Sequence, residues 1–170
     1  MRTLIKENIL LISKNIFANT KGGREQLSAS HYKILKDIYS NNLYCFDAAQ
    51  KPILSRVYWF ISIISGYLDG LTRSKCFEIL NVIQYSSITQ VFINGSNYGQ
   101  LAKFLNKYAP EVEIICFFHN VESKFFWDSF SHHKTLKSFL TFSLNYFAER
   151  SAVKYSHKII TLSKRDSDLL

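Results

Sequence analysis

Short continuous apolar runs alternate along this chain with segments whose apolar residues recur at intervals of three and four. NILLIS (8–13) is the first run, of the kind a strand buried on both faces requires. NLYCFDA (42–48), QVFING (90–95), VEIICFF (112–118) and HKIITLS (157–163) repeat the pattern and predict four more strands. Between them, helical spacing marks REQLSASHYKILKDIY (24–39), where Leu27, His31, Ile34, Leu35 and Ile38 form the stripe. It also marks residues 54–68, 74–84 and 97–108, a short piece around 124–130, and a long helix over 135–155. Ser163 followed three residues later by Asp166 predicts a capped helix start after the fifth strand.

Strands alternating with helices imply βαβ units, and hence an α/β fold: a Rossmann-like, doubly wound parallel sheet flanked by helices. Neither repeats nor linkers interrupt the pattern, so residues 1–170 read as one domain. With 47% hydrophobic and 20% charged residues, six Gly and two Pro, the chain is able to bury a substantial core. The apolar run at the N-terminus is too short for a signal peptide, and 57–68 is too short to span a bilayer. Cys45, Cys76 and Cys116 stand far apart in apolar contexts, which predicts reduced thiols and no zinc site. The net charge of +8 favours an acidic partner: a phosphate ligand, an anionic membrane surface or a nucleic acid.

In such sheets ligands sit beyond the carboxyl ends of the strands, and polar groups concentrate there. FFHNVE ends the fourth strand without a Gly or Pro turn, delivering His119, Asn120 and Glu122 together. His119 suits a hydroxyl acceptor or a developing charge, or is a hydrogen-bonded residue at a strand end. Glu122 either orients His119, binds a hydroxyl, or is an acid favoured at a helix start. Gly22 and Gly23 open a helix, where backbone N–H groups receive phosphate or a sugar hydroxyl, or form a plain turn. No dinucleotide fingerprint, P-loop or nucleophile elbow is present, and Ser96 or Asn97 in GSNYG (95–99) reads as an N-cap. Asp166 and Asp168 belong to a helix start rather than a metal site, and His132-His133 to a solvated loop. Along the long helix, Leu136, Phe139, Leu140, Leu144 and Phe147 are expected to cover the sheet while Lys134, Lys137, Arg150 and Lys154 face water. The sharper alternative is that these lysines and aromatics attach the domain to an anionic membrane.

Taken in order, the Gly22-Gly23 loop, VFINGSNYGQLAKFLNKYAPEVEIICFFHNVE and FAERSAVKYSHKIITLSKRDSDLL resemble the N-terminal domain of retaining glycosyltransferases of family four, which have the GT-B architecture. The resemblance implies an acceptor-side domain that helps move a sugar from a nucleotide-sugar donor to a polysaccharide or glycolipid acceptor. It implies a catalytic role for His119 beside the reacting sugar, and substrate contacts from Gly22, Gly23, Asn120, Glu122 and Ser163. No cofactor or metal is implied beyond the nucleotide-sugar substrate, and no nucleic acid is an expected partner. Cytoplasmic placement is expected, peripheral at the inner membrane face. The family's Glu-x7-Glu pair has no counterpart, since no two glutamates here stand eight apart. The expectation is therefore a chain that stops before the donor-binding domain and does not transfer sugar alone. The competing reading of the same pattern is a noncatalytic α/β interaction or phosphate-ligand-binding module.

Overall fold

The structure, a computed structural model, describes residues 7–16, 22–48 and 56–169. Five strands form one parallel sheet: β1 (Ile9–Ser13), β2 (Leu43–Asp47), β3 (Gln90–Asn94), β4 (Glu113–Phe118) and β5 (Lys158–Thr161). Their spatial order is β2-β1-β3-β4-β5, with Ile12 beside Phe46 on one side and Ile93 on the other. Each predicted strand is present, shortened by one to three residues at its ends.

Alternate residues of the strands supply two cores, one on each face of the sheet. Ile9, Leu11, Phe92 and Phe117 pack with Leu35, Tyr32 and Tyr39 of α1 (Gly23–Tyr39). Leu10, Ile12, Val91, Ile93, Ile114, Cys116 and Phe118 pack on the opposite face. There they meet Cys76, Ile79 and Ile83 of α3 (Arg73–Tyr85) and Leu101, Phe104 and Leu105 of α4 (Gly99–Tyr108). Helices on both faces make this the doubly wound α/β fold that the alternation predicts. Between β2 and α3 lies α2 (Arg56–Ile64), shorter than the predicted helix, whose residues 54 and 55 fall outside the described ones.

Several helical details depart from the sequence pattern. In α1, Ile34 and Ile38 are exposed, because the helix turns Ser28, Tyr32, Leu35 and Tyr39 inward and so brings polar groups to the strand ends. Neither Ser96 nor Asn97 caps α4 with its side chain. Residues Ser96–Tyr98 form a 3-10 turn, and the Asn97 amide instead donates to Asp69 at 2.8 Å. The helix after β4, α5 (Glu122–His133), is several residues longer than predicted.

The largest departure is α6 (Leu136–Tyr155), which the Thr135 side chain caps in a reciprocal box with Ser138. Leu136, Phe139, Leu140 and Phe147 do not cover the sheet: all four are exposed. The buried residues of α6 are Asn145, Ala148, Glu149 and Ala152. Close backbone approach explains the inversion. A Cβ on Gly99 would strike the Ala148 carbonyl oxygen and come within 2.7 Å of the Ala152 nitrogen, so α4 and α6 meet where only small side chains fit. No helix among the described residues is long and apolar enough to cross a membrane.

Candidate functional site at the strand ends

The strand order reverses between β1 and β3, and that point in a doubly wound sheet leaves a crevice beyond the carboxyl ends. Ser13 ends β1 and Asn94 ends β3, both buried. The Asn94 amide donates to Ser13 Oγ at 2.9 Å and to Ser28 Oγ at 3.0 Å, while Ser13 Oγ donates to Ser28 Oγ at 2.9 Å. Its carbonyl oxygen is thereby turned toward His31 Nδ1, at 3.1 Å. With the amide nitrogen committed to hydroxyls, this contact requires a proton on Nδ1. Burial holds the His31 pKa below its ordinary 6.5, so near neutrality the ring is uncharged and Nε2 carries the lone pair.

His119, just past the end of β4, joins the same cluster. Its buried ring meets Phe117 edge-on at 5.4 Å and lies 6.4 Å from the His31 ring, centre to centre. Phe117 also packs edge-on against His31 at 4.3 Å. Two imidazoles, one on α1 and one just past β4, thus flank one phenyl ring, an arrangement able to meet a sugar face or a hydroxyl.

Gly22 and Gly23 are exposed at the start of α1, the helix that carries Ser28 and His31. The fold does not demand glycine at either position. Gly22 has an ordinary extended backbone, its added Cβ would meet only the flexible Glu25 side chain, and one on Gly23 would meet nothing within 4 Å. The helix start is therefore open to an approaching group at Gly23, while the Glu25 carboxylate lies over Gly22.

Asn120 is exposed, and Glu122 stands in the first turn of α5, where an acid is favoured. The strand-to-helix step of HNVE is held from a distance: the buried Glu149 carboxylate accepts the backbone N–H groups of Glu122, at 3.0 Å, and Ser123, at 3.3 Å. Burial pushes the Glu149 carboxyl above its usual range, opposed by the hydrogen bonds from Ser123 and Glu122. Ser163 is exposed at the end of β5 and caps α7 (Lys164–Ser167), accepting the Asp166 N–H at 3.1 Å as the sequence predicts. His132 and His133 form the exposed last turn of α5, and among the described residues no cluster of metal-ligating side chains occurs.

A second polar set lies beyond the ends of β1 and β2. Asp47 at the end of β2 accepts the Asn15 N–H at 3.0 Å, Asp69 meets Lys14 Nζ at 3.8 Å, and buried Lys75 donates to the Ala48 carbonyl at 2.8 Å. Sequence reasoning missed this set and the Ser13–Ser28–His31–Asn94 network alike. His31 falls in an apolar stripe, and most of the others are common polar residues at or near element ends. The available signal was positional: Ser13 and Asn94 each close a strand that is otherwise apolar. No family model matches the sequence, and no curated protein or solved structure matches it significantly.

Proposed function

We propose that this chain is the acceptor-side domain of a retaining glycosyltransferase that moves a sugar from a nucleotide-sugar donor to a polysaccharide or glycolipid acceptor at the cytoplasmic membrane face. The observation that carries the reading is the pairing of His31 and His119 about Phe117, on the sheet face covered by α1, the helix whose start is open at Gly23. It agrees with the resemblance of HNVE and the Gly-Gly loop to glycosyltransferases of family four.

In this reading the neutral His31 Nε2 accepts a hydrogen bond from an acceptor hydroxyl, its tautomer fixed by Asn94. His119 contacts the transferring sugar, and the Gly22 and Gly23 amides meet the diphosphate or the acceptor. Phe117, buried in the core, backs both imidazoles.

The test is an amide-resolved NMR titration of the chain with nucleotide sugars, soluble oligosaccharides and short-chain lipid-linked glycans. Saturable shifts at Gly22, Gly23, His31 and His119, lost in His31→Ala, support the assignment. Saturable glycan binding elsewhere on the chain, or none up to the solubility limit, overturns it. Binding of inorganic phosphate alone at the same amides would return the site to a phosphate-ligand module.

A further inference from the structure

The outer face of α6 is built against the ordinary rule for a helix on a globular domain. Leu136, Leu140, Ser143, Phe147, Arg150 and Lys154 follow one another at alternating steps of four and three and so share one face. Leu136 is 75% exposed, Leu140 51% and Phe147 65%, and Phe139 beside them is exposed as well. The opposite face, meanwhile, buries Asn145, Ala148, Glu149 and Ala152.

Charge identifies what covers the face. From residue 129 to 165 the sequence has seven lysines and arginines and a single acidic residue, Glu149, which is buried under the start of α5. Lys134 and Lys137 flank the apolar segment at one end and Arg150 and Lys154 at the other, all four exposed. At 1.5 Å per residue the strip from Leu136 to Lys154 runs about 27 Å. A second copy of the chain does not match it. A parallel pairing sets Arg150 and Lys154 against themselves, and an antiparallel one lays them on Leu136 and Leu140.

We infer that this face lies on an anionic bilayer, with Leu136, Phe139, Leu140 and Phe147 below the headgroups and the flanking cations extending to lipid phosphates. The inference rests on the surface of α6 and stands apart from sugar transfer, so either is able to fail alone. Its consequence for the proposed function is that the lipid-linked class of acceptor is presented at the membrane surface, since the same helix holds the HNVE step through Glu149.

The experiment is cosedimentation of the purified chain with vesicles of phosphatidylcholine alone or mixed with phosphatidylglycerol, at low and high salt. Two variants accompany it, Leu140→Ser/Phe147→Ser and Arg150→Gln/Lys154→Gln, with circular dichroism and melting curves checking their folding. The expected result is binding that requires phosphatidylglycerol, falls with salt, and weakens on the order of tenfold or more in each variant while both stay folded. No binding to anionic vesicles at low salt overturns the inference, as does binding that the folded apolar variant leaves unchanged. A concentration-dependent dimer in sedimentation equilibrium, abolished by Leu140→Ser/Phe147→Ser, also overturns it and assigns the face to a second copy.

Discussion

Glu149 caps a helix to which it does not belong: its carboxylate accepts the backbone N–H of Glu122, 27 positions earlier in sequence, at 3.0 Å. Truncation in Glu149→Ala leaves the Glu122 and Ser123 donors without that carboxylate, and a loss of about 1–3 kcal/mol in urea denaturation is expected. The pH dependence has a definite sign. Because burial raises the folded-state pKa above the ordinary 4.5, folding favours the protonated carboxyl, and that contribution is complete below 4.5 and fades as pH rises through the folded value. Melting curves across this window are expected to show the native chain losing ground to Glu149→Gln as pH rises; a gap that widens instead contradicts the assignment.

His31 gives the opposite slope at a higher pH. Its folded pKa lies below 6.5, so its contribution is present above 6.5 and is lost as pH falls through the folded value. Acidification below about 6.5 is expected to destabilise the native chain more than His31→Gln, as melting temperature reads directly. Loss of the network centre, Asn94→Ala, removes bonds to His31, Ser13 and Ser28 and is expected to cost about 1–3 kcal/mol.

Two glycines are expected to respond in opposite ways to the same methyl group. Gly99→Ala drives a Cβ into the Ala148 and Ala152 backbone and is expected to cost about 3 kcal/mol in a urea unfolding curve. Gly23→Ala meets open space at a helix start and is expected to leave stability level or raise it by up to about 1 kcal/mol. If the proposed ligand approaches that backbone, Gly23→Ala weakens its binding without unfolding the chain, a separation that calorimetric titration checks.

Thiol labelling tests the core. Burial pushes the Cys76 and Cys116 thiols up to about 12, so both are expected to resist iodoacetamide in the folded chain and to react on unfolding. Cys45, only half-buried on β2, is expected to be the first to label. Mass spectrometry of the digested chain locates the adduct.

Local periodicity carried the strands and their order of appearance, because runs such as NILLIS have one stable home, a strand covered on both faces. It failed where tertiary contact overrides local pattern. Nothing near Glu149 in sequence announces that it caps α5, and nothing near Gly99 announces that α6 will lie against it. The same contact reverses α6, since a helix pressed to another at backbone distance must turn small residues inward whatever its large residues prefer. At the candidate site, His119 was legible because a polar trio closes an apolar strand. His31 was not, because its role depends on Asn94, 63 positions away.

Ala148 and Glu149 are neighbours on one turn of α6, yet the first seats on Gly99 and the second secures the start of α5. Their adjacency makes a single docking event responsible for three helices. The chain closes a loop of roughly 50 residues to bring α6 to α4, and that one closure also ties down α5. In hydrogen exchange, α4, α5 and α6 are therefore expected to open as one cooperative unit, with amides in α4 and at Glu122 sharing one opening free energy, distinct from that of α1 across the sheet.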